Sequence, residues 1–108
     1  MFARFLFPIL LLAASGAVLA DIPVFQLTIQ NNRFQPTELH VPAGKKVKLL
    51  VHNRDAAPEE FESYDLNREK IITGKSSGTV YVGPLAPGKY SFFGDFHRDT
   101  ARGSLIAD

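Results

Sequence analysis

Apolar and polar residues alternate along Val24–Gln30 and again along Lys46–Asn53. In the first run Phe25, Leu27 and Ile29 share one face and Gln26, Thr28 and Gln30 the other. In the second, Val47, Leu49 and Val51 face inward while Lys46 and Lys48 face out. A period of two is that of a half-buried β-strand. No segment carries a sustained helical apolar period, which disfavours an all-helical fold. Further β-rich runs, Thr79–Val82, Lys89–Phe93 and Gly103–Ala107, lie between turn signals at Asn31–Arg33, Ala43-Gly44, Thr73–Gly78 and Gly83–Gly88. Phe34–Pro36 and Leu39–Pro42 read as edge segments, because proline cannot donate to a ladder. Phe61–Ile72 stays open between a short helix and an irregular strand. Strands this numerous in one short chain must pack face to face, so the expectation is an all-β antiparallel sandwich of about seven or eight strands.

The 108 residues suffice for one small domain. The absence of cysteine excludes a disulfide scaffold, thiolate zinc, iron–sulfur clusters, a cysteine nucleophile and a lipid-anchored cysteine. A formal net charge of +1 supplies no basic field for nucleic acid. At the N-terminus a weakly basic Met1–Arg4 precedes the apolar stretch Phe5–Ala14, and Val18-Leu19-Ala20 precedes the charged Asp21. This is the pattern of a secretory signal peptide, 1–20, cleaved after Ala20. The apolar run, interrupted by Pro8, is about half the ~20 residues of a spanning helix. The expected product is a periplasmic domain, 21–108, with equal numbers of acidic and basic residues and neither thiol nor thioether. No G-x-S-x-G, H-E-x-x-H or phosphate loop occurs, so hydrolase and nucleotide chemistry have no support.

Two segments concentrate polar donors beside apolar strands. Asn53–Glu62 carries Glu59, Glu60 and Glu62, which repel one another unless solvated or bound to a cation. Alone, this reads equally as a solvated acidic loop. Tyr90–Gly103 places Asp95 and His97 after an aromatic strand, and a lone histidine is more often packed than ligating.

Together the two segments resemble the ligand-bearing segments of a cupredoxin. Small blue copper proteins take one imidazole from an Asn-led loop ending in Pro-His, and a thiolate, imidazole and thioether from a C-terminal Y-x-F-x-C-x-x-H strand and loop. Asn53–Pro58 matches the first, with Glu59 where the histidine stands; Tyr90–His97 matches the second, with Gly94 at the cysteine position and His97 at the second histidine. The axial position falls near Thr100 or Ala101, neither a sulfur ligand. The resemblance implies a cupredoxin-like Greek-key β-sandwich without a blue-copper thiolate.

E-E-F-E-S, then R-E-K-I-I, then G-P-L-A-P-G-K-Y-S-F-F-G-D-F-H-x-x-T-A-x-G is similar to thiol-poor cupredoxin-like proteins of bacterial iron uptake. These include the cupredoxin domain of EfeO-type proteins and small partners of high-affinity iron permeases. That resemblance implies an iron or copper ion, assistance to Fe(II) oxidation, and as partners an inner-membrane iron permease and an electron-transfer protein. It implies His97 as the nitrogen ligand and Glu59 as the leading carboxylate, followed by Glu62 and Glu60, with Asp95 either ligating or orienting an imidazole. Carboxylates with one imidazole suit iron, Cu(II) or Mn(II) better than Cu(I). The alternative is a metal-free binding or assembly module of a membrane transport complex. His40 and His52 are weaker candidates, Glu69-Lys70 reads as a surface pair, and Tyr90 is placed to hydrogen-bond across a sandwich corner.

Overall fold

The computed structural model describes residues 21–108, and the expected signal peptide lies outside the described residues. The strands are β1 (Val24–Gln30), β2 (Arg33–Gln35), β3 (Glu38–Val41), β4 (Val47–Asn53), β5 (Glu59–Ser63), β6 (Arg68–Ile72), β7 (Ser76–Val82), β8 (Gly88–Gly94) and β9 (Arg102–Ala107). A 3-10 turn, Asp95–His97, joins β8 to β9. One sheet runs β2-β1-β4-β7 and the other β3-β9-β8-β5-β6. The all-β cupredoxin-like sandwich is present, with nine strands among the described residues. Most neighbours are antiparallel, but β1–β4 and β3–β9 pair in parallel.

The extra strands come from Phe61–Ile72, which forms the β5–β6 hairpin rather than a helix. Its outer strand, β6, exposes four of five residues, so no apolar alternation marks it. β7 starts at Ser76, inside the expected turn, because Ser76 and Ser77 pair with Asn53 and His52 of β4.

The inward faces bury Leu27, Ile29, Val47, Leu49 and Val51 of one sheet against Phe61, Phe92 and Leu105 of the other. Burying such a side chain contributes about 1.5–3 kcal/mol. Phe92 anchors the aromatic centre, edge-on to Phe34 at 4.9 Å and stacked on Phe61 at 5.2 Å. Tyr90 Oη donates to the Ala86 carbonyl at 2.7 Å across the Gly83–Gly88 corner, as its position suggested.

Candidate metal centre

One buried amide shapes the first loop. Asn53 is almost wholly buried, and its Nδ2 donates to the Ala57 and Ile72 carbonyls at 2.9 and 3.1 Å. Its Oδ1 accepts from Asp55 N at 3.0 Å. The loop is held from outside as well, since the Asp55 carboxylate accepts from the backbone N–H groups of Asn31 and Asn32 at 2.8 and 2.9 Å. Those backbone donors, the Asn32 one foremost, hold the Asp55 carboxyl below the usual range. Asn53 thereby aims the chain into β5, whose first residue, Glu59, turns inward.

The second loop closes on itself. Gly94 N donates to the Ala101 carbonyl at 2.8 Å and Ala101 N to the His97 carbonyl at 2.9 Å. Thr100 Oγ1 donates to the Asn32 carbonyl at 2.6 Å, tying this loop to the β1–β2 turn. The imidazole of His97 is thus delivered to Glu59.

There the two segments meet. Glu59, with its side chain 2% exposed, has Oε2 2.6 Å from His97 Nδ1. Its Oε1 accepts from Phe96 N at 2.9 Å and from Glu60 N at 3.0 Å. A carboxylate receiving two backbone donors acts as an acceptor, which assigns the proton of the third bond to Nδ1. His97 is 30% exposed at its side chain, so the remainder of the ring faces the rim.

Gly94 explains how the carboxylate fits. A Cβ there would lie 2.6 Å from Glu59 Cδ, 2.7 Å from Glu59 Oε2 and 2.7 Å from Ala101 Cβ. The space that a side chain at 94 would need is filled by Glu59.

Strand alternation sends the other acids to the opposite face. Glu59, Phe61 and Ser63 are buried, whereas Glu60 and Glu62 are half-buried on the outer face of the five-stranded sheet. The β5–β6 register sets Glu62 directly opposite Glu69. Like charges opposite one another destabilise a sheet. One carboxylate oxygen from each of Glu60, Glu62 and Glu69 lies within 4.8 Å of the others. Glu62 Oε2 is shielded from solvent and has no hydrogen-bond partner.

Desolvation first, then the charges of Glu62, Glu69 and Asp95, push the Glu60 carboxyl above the usual range. Desolvation and the Glu69 charge do the same to Glu62, opposed weakly by Arg98. Arg98 is the cation at this face. Its Nε donates to Asp95 Oδ1 at 2.7 Å, its Nη2 pairs with the same oxygen, and its guanidinium lies 4.9 Å from the centroid of the Phe93 ring. Asp95 draws the Arg98 pKa up.

The five expected site residues therefore converge on one end of the sandwich but divide between two faces of β5. Glu59 and His97 lie inside; Glu60, Glu62 and Asp95 lie outside. Sequence reasoning missed Glu69, read there as a surface partner of Lys70. The spacing of a tight hairpin, which sets residue 69 opposite residue 62, was the available signal. His40 instead pairs with Asp108 at 3.0 Å. His52 has both ring nitrogens engaged, by Gln26 Oε1 at 2.8 Å and Ser77 Oγ at 2.7 Å.

Among solved structures the chain is similar to auracyanin A, a "blue" copper protein from Chloroflexus aurantiacus, with a TM-score of 0.69 and 15% identity over 82% of this chain and 100% of that one. It is similar to a purple cupredoxin from Nitrosopumilus maritimus, with a TM-score of 0.60 and 19% identity over 77% and 98%. Amicyanin from Paracoccus versutus aligns with a TM-score of 0.61 and 18% identity over 84% and 85%. At these identities the likeness is one of fold. Among curated proteins the chain is 47% identical over 83 residues to uncharacterized protein RP394 of Rickettsia prowazekii (strain Madrid E), covering 77% of this chain. It spans 66% of that relative, just under two thirds of its length.

A blue copper site needs a cysteine thiolate and two imidazoles. This chain has no cysteine, and Glu59 fills the room that a side chain at position 94 would occupy. The residues do not fit a thiolate copper centre. The fold itself is matched along nearly the whole sequence: residues 3–107 fit the family model of the cupredoxin-like domain, and the chain belongs to that family.

Proposed function

We propose that this protein is a periplasmic cation-binding cupredoxin that takes up iron as cargo at the acidic face of β5 and β6 and hands it to an inner-membrane iron permease. Glu60, Glu62 and Glu69 are the principal oxygen donors, and Asp95 borders them. The observation that carries this reading is the Glu62 carboxylate. It faces Glu69 across the ladder, in reach of Glu60, with one oxygen shielded and unpartnered. A buried acceptor without a donor costs free energy that a bound cation repays.

The chemistry favours a hard ion. Anionic oxygens suit Fe(II), Fe(III), Cu(II) or Mn(II), and they stabilise the higher charge of the ferric state. The ligand set therefore lowers the potential of bound iron and prepares it for oxidation by an external electron-transfer protein. In this reading Glu59 and His97 are not primary donors. Glu59 engages backbone N–H groups from both segments and so holds the β5 acids against the Asp95 loop.

Calorimetric titration of the chain from Asp21 with Fe(II) under anaerobic conditions tests this, with Cu(II) and Mn(II) in parallel. The expected result is one ion bound per chain, at least tenfold more weakly in Glu62→Gln and in Glu60→Gln. Binding no tighter than to an unrelated acidic protein would refute the cargo role and leave the metal-free assembly module.

A further inference from the structure

Six large apolar side chains stand exposed among the described residues. Ile71 and Phe96 adjoin the acidic face through their neighbours Glu60 and Asp95, and Tyr64 packs on Phe93 beside it. Ile22 and Val24 do not, and Tyr81 meets only the edge strand β6, where Arg68 Nε donates to its carbonyl at 2.8 Å. The two groups lie on opposite outer faces of the sandwich, because Val24, Lys48 and Tyr81 alternate with inward residues of the four-stranded sheet and Glu60 and Glu62 with inward residues of the five-stranded one. The parallel register sets Val24 against Lys48, and the antiparallel one sets Tyr81 against the same lysine. Val24, Lys48 and Tyr81 therefore form one cross-strand row on the outer face of the four-stranded sheet. Ile22, Lys45 and Lys46 line a depression beside it, with Asp21 the opposing charge. Lys46 Nζ sits 5.0 Å from the Tyr81 ring centroid. None of these lysines forms a salt bridge among the described residues.

We propose that this lysine-bearing base docks on an anionic phospholipid surface. Exposed aliphatic side chains beside lysines and a tyrosine are the composition of an interfacial contact, the apolar groups entering the headgroup boundary and the ammonium groups meeting lipid phosphates. An acidic protein is the lesser match. The base offers lysine point charges in place of the arginine fork that takes carboxylates bidentately. Charge fixes the orientation, since an anionic leaflet attracts Lys45, Lys46 and Lys48 and repels Glu60, Glu62 and Glu69. The base therefore faces the lipid and the acidic face points away from it. The proposal does not depend on metal binding.

The test is co-sedimentation of the chain from Asp21, which contains both sheets and the core, with vesicles of phosphatidylcholine alone or mixed with phosphatidylglycerol. Binding is expected only to the phosphatidylglycerol vesicles and is lost at high salt. Each surface lysine contributes about a fivefold gain in partitioning, so Lys45→Glu with Lys46→Glu lowers it at least about tenfold. Ile22→Ser lowers it by a smaller factor at constant charge. All three residues are exposed, so an unchanged thermal midpoint accompanies each loss. Equal binding to both vesicle types, undiminished binding of the double lysine variant, or retention on a polyglutamate column without vesicle binding overturns the proposal.

Discussion

Glu59 and Glu60 are neighbours in sequence and opposites in electrostatics. Glu59 points into the sandwich, where two backbone donors and an imidazole satisfy it. Glu60 points outward, among acids that raise its pKa. The inner carboxylate supports the fold through its hydrogen bonds; the outer ones strain it by crowding together. One strand thus holds a satisfied acid on one face and mutually repelling ones on the other, and removing a carboxylate has opposite consequences on its two faces.

The largest effect expected is from Glu59→Ala. It leaves the Phe96 and Glu60 N–H groups and His97 Nδ1 without their acceptor. Breaking a buried pair in this way costs about 3 kcal/mol, read from urea denaturation at pH 7. Gly94→Ala comes next, at about 1–3 kcal/mol of overpacking, because its Cβ collides with the same carboxylate. Combining the two changes costs less than their sum, since the alanine methyl enters space vacated by Glu59. Strict additivity would show that the Glu59–Gly94 contact is not what keeps position 94 small.

Glu62→Gln acts in the other direction. A raised carboxyl pKa means the folded state holds the proton more tightly than the unfolded chain. Its favourable contribution is full below the ordinary value of 4.5 and disappears as pH rises through the raised value. The glutamine variant therefore melts higher than the parent at pH 7, and the gap closes at acid pH. Added Fe(II) raises the parent's midpoint more than the variant's. The smallest effect is from Asp55→Asn. Its carboxyl is held below 3.8, so its contribution is present at neutral pH and fades as pH falls through the depressed value. Thermal melts of parent and variant should differ at pH 7 and converge as the pH is lowered to 3 and below.

The alternating strands β1 and β4 were legible because each buries one face. The meeting of Glu59 and His97 was legible through the resemblance of their two loops. Alternation along β5 sends Glu60 and Glu62 to the face opposite Phe61, which argues against a site using all three acids. The β6 strand was hidden, because Arg68–Ile71 is exposed and carries no apolar period. Glu69 was hidden with it, since its role depends on a cross-strand register that composition does not encode. Nor could the inward turn of the Glu59 carboxylate be read without seeing how closely Gly94 and Ala101 pack around it.

Gly94 and Glu59 constrain one another. A side chain at position 94 collides with the carboxylate that fills its space, and removing the carboxylate alone orphans two amides. Placing a sulfur side chain at position 94 therefore requires two coupled substitutions, each destabilising when made alone.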